Sequence, residues 1–574
     1  MLQGKQGLAR IHRAQAAIKN EASMKRIDWV RWFPFLAWRR PDAALLRTEG
    51  LSAISVAMVL VPQAVAYAAL AGMPLATGLY AAFLPPLVAA LWGGSSRLGV
   101  GPTALTCLLV FASLTGMAEP GSAQWVALAV WLALLSGALQ LVFGLGGFGW
   151  LLNLISAPVL AGFTQAAGLL IIASQIPALI GLNGPWASLL QGPQLDLPAL
   201  AFGLASLLLL WLGKTYAPRW PLVLLVVAAS AIVSASLGFA GQGHAVIGAL
   251  PSGLPSLYWP ELPVWPALAS LVAPAMVIAL VSFLETASTA KVQNQMDQKR
   301  WDDNQDLIGQ GLAKLVSALS GSFPTSTSFS RSAISNYTGA RTGWSSLLIV
   351  ALVLLALLLL MPALFHVPRA VLSAVVIVAV MGMLQPSGFV RLWRISRVEC
   401  ITSLATFAIT LLSAPRIYWG VLAGVVLGLL DFLYQRLHPR IIEVGLHPDG
   451  SLRDRHLWKL ERLSPHMYAL RMDAELDFAA ASSFERNISE FLAAHPDIRH
   501  VCLFAQPINR IDASGVEAFQ TLTQDLHRRG IALHISGIKL PVEKVLRRAG
   551  LLQPDSLLHL YRADAEALER IAHL

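Results

Sequence analysis

Long apolar segments dominate the chain between residues 50 and 437, where runs of Leu, Val, Ala and Ile alternate with short clusters of Gly, Pro and Asn. About fourteen of these segments are long enough to cross a hydrocarbon core of ~30 Å as helices. Several contain an internal proline, for example Pro62 and Pro158. Because a broken helix is tolerated at lipid depth only where neighbours satisfy the freed backbone groups, the pattern predicts a polytopic α-helical membrane protein with a transporter-like interior.

A different pattern begins at about residue 438. Short apolar runs at 500–504 and 531–535 are typical of buried strands, and amphipathic stretches at 512–529 and 542–549 are typical of helices. Strands and helices that alternate in this way predict a small α/β domain.

Charged residues divide the chain into the same parts. They make up 13% of the sequence, against about 25% in a soluble protein. Residues 1–49 hold ten Lys and Arg against four acids, without the apolar core and cleavage site of a signal peptide. Beside a membrane body, this basic segment is expected to lie in the cytoplasm near anionic lipid rather than on nucleic acid. The predicted division is therefore 1–49, 50–437 and 438–574.

The charges of the loops give an orientation. With fourteen crossings both termini lie on one side of the membrane, and most Lys and Arg of the loops then fall on that side. Because cytoplasmic loops carry the excess of Lys and Arg, both termini are expected in the cytoplasm and the protein in the inner, plasma membrane. The residues on the cytoplasmic side are Arg97, Lys214, Arg219, those of the stretch 291–300, Arg341, Arg391, Arg394 and Arg397, whereas Arg369 and Arg416 fall outside.

A faint internal repeat indicates two related halves. Residues 101–104 (GPTA) open the third apolar segment, and residues 323–326 (FPTS) precede the tenth. Each is a Pro-Thr step that leads into an unusually short helix. Short or interrupted segments at matching places in two halves are typical of the substrate site of an inverted-repeat carrier, and seven plus seven is the natural division.

Four motifs resemble those of the SulP family of anion transporters. Residues 61–74 (VPQAVAYAALAGMP), continued by 78–85, are similar to the family signature. Residues 96–104 and 323–332 resemble the entries of the family's third and tenth helices, and residues 511–515 (IDASG) resemble the core motif of its cytoplasmic STAS domain. The motifs stand in the family's order, so the resemblance covers about residues 50–570.

This resemblance implies fourteen transmembrane segments in a seven-plus-seven inverted repeat, divided into a core and a gate subdomain that move in an elevator-like manner. It also implies a homodimer and an anion substrate such as sulfate, bicarbonate, chloride or a dicarboxylate. A small cytoplasmic α/β STAS domain completes the expected fold.

Two helix starts are expected to bind the anion. An anion inside the bilayer must have its lost water replaced, and a helix N-terminus offers unpaired N–H groups and a partial positive charge. Pro102 suits a first helical turn, and the tenth segment opens with hydroxyl residues followed by Arg331. The substrate-binding residues predicted from these helix starts and from the resemblance are Gln63, Tyr67, Thr103, Ala104, Phe329, Ser330 and Arg331.

Each of these side chains also has a simpler explanation. A hydroxyl at a helix start can be an ordinary cap, and Gln63 can bond between helices instead of to the anion. Tyr67, one turn later, is expected to pack. Arg331 favours a functional role, because a cation at lipid depth needs a partner or a pathway.

Glu285 in the eighth segment is the predicted proton carrier. Ser282, Glu285, Thr286 and Thr289 share one helical face, which is expected to point inward. A carboxyl group there readily holds a proton, which would allow co-transport of an anion with H⁺. Lys314 stands where relatives commonly have Asn; it either pairs with Glu285, which weakens this role, or reaches the cytoplasmic surface.

In the C-terminal domain, Asp512 is expected to cap a helix, and Ser514 matches the phosphorylated serine of bacterial anti-sigma antagonists. Phosphorylation at Ser514 would place a phosphate at the helix N-terminus, but the same residues cap the helix without it. The three cysteines, Cys107, Cys400 and Cys502, are too far apart to indicate a disulfide framework or a metal site. No cofactor is expected.

The predicted function is secondary active transport of a small inorganic anion, sulfate first, by proton symport. A dicarboxylate or bicarbonate transporter and an anion exchanger are the nearest alternatives. A passive anion channel would not need Glu285, and a membrane sensor would bind substrate without flux. The sequence lacks a phosphate-binding loop of the G-x-x-x-x-G-K-[ST] type and a convincing catalytic constellation, which disfavours an ATP-driven pump and an enzyme.

Overall fold

The computed structural model describes residues 32–182, 195–217, 220–251, 253–553 and 555–573. Most of the predicted basic segment 1–49, and Arg219 of the predicted cytoplasmic loops, lie outside these residues. The chain divides into two compact units, Met1–Gly428 and Leu429–Leu574.

The first unit is built from apolar helices in two series of seven. The first series comprises α1 (Ala43–Leu70), α2 (Leu75–Trp92), α3 (Ala104–Leu114), α4 (Ala123–Leu145), α5 (Ala157–Leu179), α6 (Leu197–Tyr216) and α7 (Leu222–Ser236). The second comprises α8 (Trp265–Met296), α9 (Asp303–Leu319), α10 (Phe329–Tyr337), α11 (Trp344–Leu359), α12 (Arg369–Met381), α13 (Arg397–Leu412) and α14 (Tyr418–Leu437), whose last residues belong to the second unit. A short helical turn at Pro34–Ala37 precedes α1, and further short helical segments lie between the helices at Gly149–Leu154, Phe239–Gln242, Met361–Leu364 and Ser387–Ile395. The predicted seven-plus-seven architecture is confirmed.

Helix length separates crossing helices from half-length ones. In the described chain, seven helices are long and apolar enough to cross a membrane by length and composition: α1, α2, α4, α5, α6, α8 and α14. The 11-residue α3 and the 9-residue α10 are far too short, because ~20 residues are needed to span the hydrocarbon core. Both half-length helices begin at matching places in the two series.

The helices pack in two sets. One set joins α1 to α4 with α8 to α11, through contacts such as α4 with α9 and α2 with α11. The other joins α5 to α7 with α12 to α14, through contacts such as α5 with α13 and α6 with α12. The contact of α4 with α9 corresponds to that of α11 with α2 when the two series are exchanged, and the contact of α5 with α13 corresponds to that of α12 with α6. An internal repeat requires this correspondence. Helices α1 and α3 also contact the second set, at α12, α7 and α5.

The second unit contains a six-stranded sheet in the order β4-β3-β5-β6-β7-β8. The strands are β3 (Ile441–Leu446), β4 (Leu452–Asp454), β5 (Met467–Met472), β6 (His500–Phe504), β7 (Ala532–Ser536) and β8 (Leu558–Tyr561). Strands β5 to β8 pair in parallel, and β3 pairs antiparallel with β4 and β5. The helices are Arg455–Trp458, α15 (Ala481–Ala494), α16 (Ala513–Arg528), α17 (Leu540–Arg548) and α18 (Asp564–Ile571). The predicted α/β domain is confirmed.

Candidate anion-binding site

The two half-length helices begin side by side. Two short strands precede them, β1 (Val100–Gly101) before α3 and β2 (Ser326–Thr327) before α10. These strands pair antiparallel, with Val100 opposite Thr327 and Gly101 opposite Ser326. The two helix starts are expected from the sequence to share one site, and the strand pairing places both starts at the same point inside the first unit.

Each helix start is capped by a hydroxyl group. The Thr106 N–H donates to Thr103 Oγ1 at 3.4 Å, and the Arg331 N–H donates to Ser328 Oγ at 3.4 Å. The N–H groups of the first turn have no partner within their own helix. Two sets of unpaired donors and two helix dipoles therefore meet at one place, which is the arrangement that stabilises an anion without a metal ion.

A cavity of about 620 Å³ lies over these helix starts. Both helix sets line it: α1, α3, α8 and α10 on one side, and α5, α6, α7 and α12 on the other. Its lining includes Lys214 at the end of α6 and Leu222 at the start of α7. Of the predicted site residues, those that line the cavity are Gln63, Tyr67, Thr103, Ala104, Glu285, Phe329 and Ser330.

Glu285 connects the cavity to both helix starts. Thr103 Oγ1 donates to Glu285 Oε2 at 3.3 Å, and Ser326 Oγ forms a short hydrogen bond with the same oxygen. Thr103 is the cap of α3, and Ser326 belongs to the strand that leads into α10. The half-buried carboxyl group therefore lies where both helices begin.

Arg331 does not line the cavity, although it was predicted to bind substrate there. Its side chain is 1% exposed and lies behind β1, where Nη2 donates to the Gly99 carbonyl at 3.2 Å. Nε and Nη1 have no hydrogen-bond partner among the described residues. The guanidinium is thus a buried positive charge beneath the helix starts, because α10 turns its first residues, Phe329 and Ser330, toward the cavity instead.

Lys314 follows neither of the two alternatives left open by the sequence. It is fully buried and so does not reach a surface, and no ion pair joins it to Glu285 in the described ranges. Its Nζ donates to Gln140 Oε1 on α4 at 2.8 Å. The reason is local packing, because α4 and α9 contact each other closely and place the amide next to the ammonium.

Several residues of the site were missed by the sequence reasoning. Gly101 has a φ of +144°, which favours glycine, and a Cβ at Gly99 would lie 2.7 Å from the Arg331 Cβ. The two glycines flank Val100 in the stretch 96–104, and this spacing was the available signal. Gln140 is one of three polar residues in α4, with Gln124 and Ser136, but its partners lie on other helices and no local pattern identifies them.

In the second unit, Ser514 is exposed in the first turn of α16. Asp512 caps this helix, with Oδ1 accepting from the Gly515 N–H at 2.9 Å and Oδ2 accepting from the Phe478 N–H at 3.0 Å. The hydroxyl is accessible, and phosphorylation of Ser514 stays a prediction.

The fold and the paired helix starts define an inverted-repeat membrane carrier with a C-terminal STAS domain. The model of the sulfate permease family matches residues 46–406, and the STAS domain model matches residues 461–567. The chain therefore belongs to the sulfate permease family and is a membrane anion transporter.

Relatives agree with this assignment, and a solved structure shares the fold. A probable sulfate transporter of Mycobacterium tuberculosis is 31% identical, with 94% of this chain and 98% of the relative covered. The chloroplastic sulfate transporter 4.1 of Arabidopsis thaliana is 30% identical, with 92% and 81% covered. The fold is similar to the inward-facing murine Solute Carrier 26 family member A9 anion transporter, with a TM-score of 0.86, 20% identity and 98% of each chain covered.

Proposed function

We propose that this protein imports sulfate across the inner membrane by proton symport. Relatives described as sulfate transporters support the substrate. The observation that carries the coupling is the position of Glu285, whose carboxyl group bonds to Thr103 at the start of α3 and to Ser326 just before α10.

This position links proton binding to anion binding. An ionised Glu285 is itself an anion at the two helix starts, where it accepts hydrogen bonds from Thr103 and Ser326 and repels a second anion. Protonation removes that charge and frees both hydroxyl groups to donate elsewhere. Proton and anion therefore each favour binding of the other, and this reciprocity is what a symporter needs.

The buried cations favour an anion with two charges. Arg331 and Lys314 are both buried in the membrane unit, and two nitrogens of Arg331 have no hydrogen-bond partner in the described chain. With Glu285 protonated, these two positive charges match the two negative charges of sulfate. Charge matching lowers the cost of carrying a dianion through the low-dielectric interior.

The two helix sets support an elevator-like cycle. The set with α3 and α10 carries the helix starts and Glu285, whereas α5 to α7 and α12 form the opposite cavity wall. With both termini in the cytoplasm, the end of α6 and the start of α7 lie on the cytoplasmic side, so the cavity opens inward. Transport then requires the first set to slide against the second, in each protomer of a homodimer.

Radiolabelled sulfate uptake into proteoliposomes, with and without an inward proton gradient, tests the proposal. We expect wild-type uptake to rise about tenfold with the gradient, which corresponds to roughly 1.4 kcal/mol of driving force. Glu285→Gln, which is uncharged at every pH, should make uptake indifferent to the gradient. Glu119→Gln, at an exposed carboxyl, is the matched control and should behave as wild type.

Equal stimulation of Glu285→Gln and wild type would contradict proton coupling through this residue. Large sulfate currents that persist without saturation would instead identify a channel. Uptake of bicarbonate or a dicarboxylate in place of sulfate would correct the substrate and leave the coupling intact.

A further inference from the structure

A fully buried ammonium group lies in the membrane unit outside the cavity. Lys314 on α9 is 0% exposed and does not line the cavity, and its Nζ donates to the neutral amide of Gln140. Removing an ammonium from water is costly, and one amide oxygen replaces only part of the lost hydration. A charge retained at this cost needs a role that an uncharged residue would not fill.

Helix packing holds this ammonium in place. A Cβ added at Gly137 on α4 would lie 2.9 Å from both the Lys314 Cβ and the Gly311 carbonyl oxygen. A Cβ at Gly311 would lie 2.7 Å from the Leu141 nitrogen. The helices α4 and α9 therefore touch at the backbone, and the lysine side chain has no path to solvent along this contact.

Hydrogen bonds on either side of Ser282, joined through the backbone of that residue, connect Lys314 to the proton carrier. Because the ammonium faces Gln140 Oε1, the amide nitrogen must face α8, where it donates to the Ala279 carbonyl at 2.7 Å and to Ser282 Oγ at 3.0 Å. The Ser282 carbonyl accepts from Ser326 Oγ at 3.2 Å, and Ser326 also bonds to Glu285. Lys314, Gln140, Ser282 and Ser326 are thus connected with the Glu285 carboxyl group, which lines the cavity.

Ser326 can report the charge state of Glu285 along this path. A hydroxyl group has one proton to donate. When Glu285 is ionised, Ser326 donates to it; when Glu285 is protonated, Ser326 accepts from the carboxyl group and is free to donate to the Ser282 carbonyl. The orientation of one hydroxyl group therefore couples the carboxyl group to the α8 backbone that Gln140 also binds.

Among the described residues, two cationic groups interact electrostatically with Glu285: Lys314 on α9 and Arg331 on α10. The titratable but uncharged groups near it are Tyr67 on α1 and Cys107 on α3. Around Lys314, α4 contains no charged residue and α2 contains only Tyr80 as a titratable group. Asp303 and Asp306 lie in the first turn of α9, away from Lys314, and the Asp306 carboxylate accepts hydrogen bonds from Ser95 and Trp301.

We propose that Lys314 is a positioning residue for proton coupling: the positive charge of its protonated form, acting through Gln140, Ser282 and Ser326, sets the pH range in which Glu285 releases its proton. This inference rests on the proposed proton symport. In this proposal, Lys314 adjusts proton release by the carrier to the pH outside the cell. Arg331, which lies under the helix starts, does not have this role.

The test is the pH profile of sulfate uptake by the full-length protein in proteoliposomes. Lys314→Met removes the charge and keeps the side-chain length. Because loss of a nearby positive charge favours the protonated carboxyl group, we expect the midpoint of the profile to move to higher pH by about one unit. Gln140→Met, which interrupts the path, should shift it in the same direction by less.

Three controls separate this role from a structural one. Lys314→Arg keeps the charge and should restore the wild-type midpoint. Lys291→Met removes an exposed lysine that lies over Trp301 and should leave the profile unchanged. Glu285→Gln should give a profile without the midpoint, and size-exclusion chromatography checks that each variant is folded.

A wild-type midpoint in folded Lys314→Met overturns the proposal. If Lys314→Met aggregates, Gln140→Met decides, and a wild-type midpoint there is equally fatal. Should Glu285→Gln keep the midpoint, proton coupling at Glu285 fails first. If the midpoint of the pH profile is unshifted in Lys314→Met and absent in Glu285→Gln, only the role of Lys314 is removed.

Discussion

Arg331 belongs to the site without touching its cavity. Its place in the sequence, directly after Phe329 and Ser330, predicted a cation at the helix start. The direction in which the Arg331 side chain points could not be predicted. It depends on Gly101 of β1 and on Gly99 just before this strand, both more than two hundred residues away in the sequence. Local sequence indicates that a cation lies near the helix start. Tertiary packing decides on which side of β1 its charge lies.

A buried histidine lies in the STAS domain. His534 on β7 has one ring nitrogen 3.1 Å from His500 Nδ1 and the other 3.0 Å from the Tyr561 hydroxyl, and its ring stacks on His559. Burial, followed by the charges of His559 and His500, lowers the pKa of His534 from 6.5 to about 4. The folded domain therefore keeps this ring neutral where an unfolded chain would protonate it.

The sign of this effect predicts acid destabilisation of the STAS domain. Between the unfolded pKa of 6.5 and the folded pKa of about 4, the unfolded state binds more protons, so stability falls as pH falls through this window. Hydrogen exchange of β6 to β8 in the full-length protein, corrected for the intrinsic pH dependence, should show this loss of protection. His534→Gln should flatten the dependence, whereas His573→Gln, at an exposed histidine, should not. A wild-type slope in His534→Gln would contradict the assignment.

At the scale of elements, the half-length helices and their shared site were predictable, and the strand pair that joins them was not. Pro-Thr steps and hydroxyl clusters indicate where α3 and α10 begin. The two-residue strands β1 and β2 are too short to give a periodic pattern, and each is stabilised only by the other. The long α8 was likewise expected to carry Glu285 on an inward face, but its connection to α4 through Gln140 has no local signature.

Gly99 offers a test of the strand pair. An added Cβ would lie 2.7 Å from the Arg331 Cβ and 3.0 Å from the Ser332 nitrogen, so β1 must move away from α10. We expect Gly99→Ala to reduce sulfate uptake by about tenfold or more, since ~1.4 kcal/mol of lost anion stabilisation suffices for that factor. Gly50→Ala is the control, because nothing lies within 4 Å of its added Cβ. Equal uptake by both variants would show that the strand pair tolerates displacement.

At the scale of the whole molecule, composition alone separates the membrane unit from the STAS domain. The fourteen segments could also be counted, because charge is nearly absent between Leu51 and Leu195 and sparse up to residue 437. The division into two helix sets could not be derived from hydropathy, since lipid-facing and buried helices are equally apolar. That division follows from contacts between the two series, for which only the family resemblance gave an expectation.

The inward opening proposed for the cavity predicts one-sided chemical access. Ser330 is exposed within the cavity, and the native cysteines Cys107, Cys400 and Cys502 are buried and free. A membrane-impermeant thiol reagent should therefore label Ser330→Cys from the cytoplasmic side in inside-out vesicles, and far more slowly from the opposite side. Sulfate should slow the labelling, whereas wild type should react little. Equal labelling from both sides would indicate a continuous pore instead.

The proposed recognition of the anion by main-chain N–H groups has an evolutionary consequence. The donors at the starts of α3 and α10 exist whichever amino acid occupies these positions, proline excepted, so few point mutations can abolish them. The same donors distinguish oxyanions by size and charge rather than by element. Selenate and chromate would enter by this route, and a cell exposed to them gains more from producing less of the carrier than from altering its binding residues.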